Sequence, residues 1–158
     1  MDISSHRGNK KRPTGYSMTI TPKETRMEPI WLKHYPRGIP AEIDIHRFAS
    51  LKEMLEQCCE KFRDRPAFTN MGVTLSYDEI DRLSRNFAAY LQQGLGLQKG
   101  ERVAIMLPNL LQYPVALFGA LRVGLVVVGV NPLYTARELQ RQLADSGAAA
   151  IVVLENFA

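Results

Sequence analysis

"RVAIMLPNLLQYPVALFGALRVGLVVVGVNPLYTARELQRQLADSGAAAIVVL", residues 102 to 154, decides the fold. Three apolar runs stand out in it: "RVAIML" (102–107), "LVVVGV" (125–130) and "AIVVL" (150–154). Each is nearly continuous rather than alternating, the pattern of strands covered on both faces. Helical segments separate the runs, so the strands are expected to be parallel, with the first crossover helix near 112–123. Pro114 is tolerable there because it sits close to the helix start. The order β-α-β-α-β is half of a doubly wound sheet, so the expected fold class is α/β: a mostly parallel sheet flanked by helices, and incomplete.

Working outward, helix starts are legible from the Ser/Thr-x-x-Glu capping box, in which side chain and backbone satisfy one another's free amides. It occurs as Ser50 with Glu53, Ser76 with Glu79, and Thr135 with Glu138. After the second box, Ile80, Leu83, Phe87, Tyr90 and Leu91 form a core-facing stripe that ends at Gly94. After the third, Leu139 and Leu143 do the same, ending near Gly147. Two further β-rich runs, "PAFTN" (66–70) and "VTLS" (73–76), lie between the first two helices. Cys58 is placed with Leu51, Met54, Leu55 and Phe62 on one apolar helical face, as a small buried hydrophobe.

A chain of 158 residues fits one ordinary domain and can bury roughly 70% of its unfolded surface. Its hydrophobic content of 46% with 23% charged residues is globular, and no apolar stretch approaches the roughly 18 residues that cross a bilayer. The net charge of +4 invites a nucleic-acid reading until it is located. Residues 1–26 carry six basic side chains (Arg7, Lys10, Lys11, Arg12, Lys23, Arg26) against Asp2 and Glu24, and the rest of the chain balances. That stretch has no apolar core of a secretory signal and too few aliphatics to pack, so it is expected to be a disordered basic extension. Its "NKKR" would be at most a weak contact for an anionic surface, and no nucleic-acid partner is expected.

The sequence offers little chemistry. In doubly wound sheets ligands bind beyond the carboxyl ends of the strands, here the loops "LPN" (107–109) and "NPLYT" (131–135). Neither has the glycines, or the lysine and hydroxyl at fixed spacing, that cradle phosphate. "GLGLQKG" (94–100) precedes a strand instead of following one and reads as a helix stop and turn. Cys58 and Cys59 match neither a redox nor a zinc spacing, and His6, His34 and His46 stand apart, so no metal site is expected. Asp78 and Glu79 sit in the first turn of a helix, where the dipole favours them. There is no GxSxG elbow and no HExxH.

The arrangement resembles the adenylate-forming acyl-CoA synthetase superfamily. "LSYDEIDRLSRNFAAYL" (75–91) looks like its first core motif and "LRVGLVVVGVNPLY" (121–134) like its second. "MEPIWLKHYPRGIPAEID" (27–44), "NFAAYLQQGLGLQKGERVAIMLPNLLQYPVALFGALRVG" (86–124) and "NPLYTARELQRQLADSGAAAIVV" (131–153) are similar to the opening of bacterial long-chain fatty acid–CoA ligases. The resemblance runs from Met27 onward, and implies that residues 27–158 are the N-terminal part of an AMP-binding adenylation domain.

It implies ATP, Mg²⁺ and coenzyme A as cofactors of the complete enzyme. ATP and a fatty acid would give an acyl-adenylate and pyrophosphate, and coenzyme A would then displace AMP. The family's phosphate loop, nucleotide-binding residues, acyl tunnel and C-terminal lysine have no matching position here, so no catalytic, cofactor-binding or metal-binding residue is assigned. The Asn131-Pro132 turn is the candidate closest to function; its plainer role is to end a strand and aim the next helix. The chain alone is therefore expected to be inactive, with exposed sheet edges that favour aggregation. The resemblance also places the enzyme in the cytoplasm and leaves room for peripheral contact with the inner membrane and for a homodimer. Two alternatives stay open: a freestanding non-catalytic interaction or regulatory domain on this scaffold, and a ligase for a medium-chain or aromatic acid.

Overall fold

The computed structural model describes residues 29–157, so the extension expected over 1–26 lies outside the described residues. The chain divides into two compact units at Ile43/Asp44. In the first, the described residues form a 3-10 turn over Ile30–His34, closed by Tyr35 N–H donating to Leu32 O at 3.1 Å.

The second unit carries the elements read from the sequence: α1 (Leu51–Lys61), β1 (Pro66–Asn70), β2 (Val73–Ser76), α2 (Tyr77–Ala89), β3 (Arg102–Met106), α3 (Gln112–Val123), β4 (Val126–Gly129), α4 (Ala136–Ser146) and β5 (Ala150–Val153). β3 pairs in parallel with β4 on one side and β5 on the other, giving the order β4-β3-β5. Side chains alternate across a strand. Val103 and Ile105 of β3 therefore face α2 and α3, packing with Leu91, Ala116, Ala120 and Val123. Ala104 and Met106 face α4, packing with Leu139 and Leu143. The two crossovers run in opposite directions from β4's side of the sheet, which puts their helices on opposite faces when both are right-handed.

Contrary to the expectation from their shared pattern, the three apolar runs are not equally enclosed. Only β3 is buried on both faces; β4 and β5 are outer strands, with Val126 51% and Ile151 38% exposed. Their apolar runs describe both faces of the sheet but say nothing about the open edge beside them.

The second and third capping boxes close in full. Ser76 Oγ accepts from Glu79 N at 3.2 Å while Glu79 Oε2 accepts from Ser76 N at 2.8 Å, and Thr135 and Glu138 repeat the exchange at 3.4 and 2.8 Å. Donation to each carboxylate, chiefly from Ser76 N–H to Glu79 and from the Thr135 hydroxyl to Glu138 at 2.7 Å, favours the ionised form, so both carboxyls are held below the ordinary carboxylate range. The first box closes differently. Ser50 Oγ caps Glu53 N at 3.1 Å, but Glu53 Oε2 reaches one residue further back, to Ala49 N at 2.7 Å.

Along α2 the fully buried ridge is Ile80, Ser84, Ala88 and, just past the helix, Leu91; Leu83 and Phe87 flank it half-buried and Tyr90 is exposed. The helix ends at Gly94 as expected, through a π-turn in which Leu95 N donates to Tyr90 O at 3.1 Å. Cys59, not Cys58, is the buried thiol, and Leu51 is 59% exposed. Leu55 is buried as expected and Met54, Cys58 and Phe62 are half-buried, but the position one turn beyond Leu55 is Cys59, so the face is centred closer to Cys59 than to Cys58.

β1 and β2 form an antiparallel hairpin across Met71-Gly72, both with positive φ (48° and 78°). Such a two-residue turn matches the strand twist and favours Asn-Gly. Met71 is 89% exposed, so its side chain contributes no packing there. Met71→Asn is expected to stabilise the chain by roughly 0.5–1 kcal/mol, read as a higher urea midpoint with unchanged slope.

α2 and α3 meet at Gly119, where an added Cβ would lie 2.7 Å from Phe87 Cδ1 and 3.1 Å from the Ser84 carbonyl. The backbone contact leaves little room to relax. Gly119→Ala is expected to cost about 1–3 kcal/mol in the same unfolding measurement, despite alanine's better helix propensity.

Candidate functional site

The carboxyl end of the parallel sheet is where this topology would place a ligand. Its two loops are built from local hydrogen bonds. After β3, Leu110 N donates to Pro108 O at 2.8 Å and Tyr113 N to Leu110 O at 3.0 Å, and the Asn109 carbonyl accepts from Asn70 Nδ2 of the hairpin at 3.0 Å. After β4, Asn131 Oδ1 accepts from Leu133 N at 3.0 Å and its carbonyl from Tyr134 N at 3.1 Å, which leads directly into the Thr135 cap. Asn131 thus spends its side-chain oxygen on a turn that aims α4, the plainer of its two expected roles.

Beside the loops lies a cleft of about 510 Å³ bounded by Leu83, Phe87, Leu111, Val115, Val152 and Leu154. Gln112 is its one polar lining residue, so it offers contact to apolar groups and no proton donor or acceptor with a catalytic pKa. "GLGLQKG" behaves as the turn expected: Gly96 and Gly100 have positive φ, Leu97 is buried, and Gly100 N donates to Gly124 O at 3.0 Å. Among the described residues no group of three His, Cys, Asp or Glu is placed to hold a metal ion. No residue of this chain is assigned to Mg²⁺, which is ordinarily held by one or two carboxylates together with substrate phosphates, and no step through it is derived. No helix among the described residues is long and apolar enough to cross a membrane.

The sequence reading missed a polar cluster elsewhere. Arg122, at the end of α3 with its side chain 6% exposed, donates to Glu56 Oε1 of α1 at 2.8 Å, to Asp81 Oδ1 of α2 at 2.5 Å, and through Nε to Ser84 Oγ at 3.1 Å. Ser84 Oγ donates in turn to the Asp81 carbonyl at 3.1 Å, and Arg85 Nε to Asp81 Oδ2 at 2.9 Å. Burial pushes the Asp81 carboxyl up, but the Arg85 hydrogen bond and the charges of Arg122 and Arg85 outweigh it and hold the carboxyl below its usual range. Burial, aided by Asp81, pushes the neighbouring Cys59 thiol up, away from a reactive thiolate. The cluster joins three helices and presents no nucleophile. Its one signal in the sequence is a lone arginine in the otherwise apolar "QYPVALFGALRV".

A model of the AMP-binding enzyme family matches residues 55–158. The chain belongs to that family. It is 62% identical over 132 residues to a protein named long-chain-fatty-acid–CoA ligase from Yersinia pestis, covering 84% of this chain and 24% of that relative. A relative of the same name from Salmonella typhimurium is 59% identical over 132 residues, with the same coverage. The chain thus spans about a quarter of the length of these curated relatives. Among solved structures, the anthranilate CoA ligase AuaEII in complex with anthranoyl-AMP superposes with a TM-score of 0.64 over 67% of this chain and 20% of that one. At 22% identity that likeness speaks to the fold, an α/β scaffold shared with adenylate-forming enzymes.

The Arg122 cluster should dominate the stability of this part of the family scaffold. Arg122→Ala, which strands Glu56 and Asp81, is expected to cost about 3 kcal/mol, whereas Arg122→Lys recovers only part because an ammonium cannot span three acceptors. The Asp81 contribution is complete above the ordinary aspartate value of about 3.9 and is lost as pH falls through its lowered folded value. Asp81→Asn should accordingly flatten the acid limb of stability against pH, measured by urea unfolding between neutral and acidic buffers.

Proposed function

We propose that this chain is the N-terminal portion of a long-chain fatty acid–CoA ligase. The complete enzyme activates a long-chain fatty acid with ATP to an acyl-adenylate and transfers the acyl group to coenzyme A. The observation that carries the reading is 62% identity sustained over 132 residues with a protein of that name. The apolar cleft and locally satisfied loops of the chain accord with a scaffold role. In this reading residues 1–26 are a basic extension and residues 27–158 the start of the adenylation domain. The groups that hold ATP phosphates, Mg²⁺ and coenzyme A belong to the three quarters of the relatives that the chain does not span, and the chain alone makes no acyl-adenylate. The complete enzyme is cytoplasmic, with peripheral contact to the membrane that supplies its poorly soluble substrate.

A chimera tests this directly. Residues 27–158 replace the matched 132 residues of the Yersinia pestis relative, and acyl-CoA formation is followed across fatty acids of different length and an aromatic acid. The chimera is expected to keep activity within about tenfold of the parent, equivalent to about 1.4 kcal/mol in the barrier, with a long-chain preference, while the 158-residue chain alone releases no pyrophosphate. A folded chimera without activity, or adenylate formation by the chain alone, would sink the reading.

A further inference from the structure

We propose that Asn70, at the tip of the β1–β2 hairpin, is a positioning residue for the ligase reaction: its side-chain amide fixes the loop after β3 from outside that loop. The inference rests on the N-terminal reading of the chain and adds a residue through which that reaction depends on the hairpin.

The two loops at the carboxyl end of the sheet are held in different ways. The loop after β4 is fixed by its own turn and by the helix it enters. Asn131 Oδ1 accepts from Leu133 N, Thr135 caps α4, and Gln142 Nε2 of α4 donates to the Gly129 carbonyl at 3.0 Å. The loop after β3 has fewer means. Pro108 has no N–H to give, and the bonds within the loop are the short-range pair from Leu110 N to Pro108 O and from Tyr113 N to Leu110 O. Asn70 Nδ2 donates to the Asn109 carbonyl, 39 residues along the chain, at 3.0 Å. Among the described residues this is the one hydrogen bond between the hairpin and the loop.

The hairpin makes Asn70 a fixed point. Asn70 pairs with Val73 across the Met71-Gly72 turn, so the ladder sets its backbone. Further along, Ala67 and Leu75 pack against Leu55, Cys59 and Ile80, which ties the hairpin to α1 and α2. Between hairpin and loop lies a groove of about 420 Å³, lined by Phe68, Asn70, Asn109, Leu110, Leu117 and Phe118 among others. A directional bond beside that groove, and not close packing, therefore sets the separation of Asn70 and Asn109. The position requires a donor, because a carbonyl only accepts. Leu107 and Leu111 of the same loop line the apolar cleft at the ligand end of the sheet, so a displaced loop would alter how an apolar substrate is held without removing a reacting group.

Two variants separate the donor from the bulk of the side chain. Asn70→Ala removes the bond and leaves room to relax. Asn70→Asp keeps size and shape but turns an oxygen toward the carbonyl, so it should be at least as damaging as alanine; a packing role predicts the reverse order. Hydrogen exchange in the 158-residue chain reads the loop directly: the Leu110 and Tyr113 amides should exchange about tenfold faster in both variants, with those of Val103–Met106 unchanged. In the chimera carrying residues 27–158, both variants should raise KM for the fatty acid about tenfold, with kcat and KM for ATP moved no more than about twofold. Unchanged loop exchange would overturn the inference, as would a parent-like Asn70→Asp beside a damaged Asn70→Ala. So would a faster-exchanging loop in an active chimera whose fatty-acid KM stays at the parent value. Faster loop exchange together with a folded parent chimera that makes no acyl-CoA would uphold the hold on the loop and overturn the ligase reading instead.

Discussion

Everything in the second unit is organised by the burial of one strand from both sides. Val103, Ala104 and Ile105 of β3 are fully inaccessible and Met106 nearly so. Such burial requires a hydrogen-bonded neighbour on each edge and an apolar layer on each face, because unpaired backbone groups and exposed aliphatic surface are both costly. β4 and β5 supply the edges, α2 and α3 one face and α4 the other. The crossovers lead in opposite directions, from β3 to β4 and from β4 back past β3 to β5, which puts α3 and α4 on opposite faces of the sheet.

The layer of α1, α2 and α3 solves a different problem, since it brings charged residues inside. Arg122 is nearly as inaccessible as its apolar neighbours, and a guanidinium so placed is tolerable only with its donors engaged. Glu56, Asp81 and Ser84 engage them from two other helices, so the network sets the relative position of three helices that hydrophobic contact alone would leave freer to slide. Gly119 acts in the same place by the opposite means, letting α2 and α3 approach until Phe87 and the Ser84 carbonyl occupy the space a Cβ would take. Cys59, packed with Leu55 and Ile80 near Asp81, is a thiol whose pKa burial raises, which suits packing and not chemistry.

Among the described residues these features hold helices, strands and turns in place. The loops at the carboxyl end of the sheet close on themselves, with Asn131 serving a turn and Thr135 a helix cap, and the adjoining cleft is apolar. The curated relatives are about four times as long as the part they share with this chain. The candidate site was only partly legible beforehand. The positions of both loops could be read from the strands they follow, but the cleft could not, because Leu83, Phe87, Leu111 and Leu154 come together only when three separate elements are assembled.

What the sequence by itself determined is the set of elements and their ends. The five strands begin and end within a residue or so of their apolar runs, and the third helix spans 112–123 as read. The Ser76 and Thr135 boxes close as written, and Gly147 terminates α4 in a left-handed conformation. All of these depend on bonds and backbone preferences within about four residues, which a linear reading contains. Only the tertiary structure decided the order β4-β3-β5, the exposure of the two outer strands, the choice of Cys59 over Cys58, and the Arg122 network, whose partners lie 38 to 66 residues away in the chain. The physical reason is one of range. Which edge stays open, and which polar groups meet inside, depend on contacts between distant elements, and local pattern constrains those only through which faces are apolar.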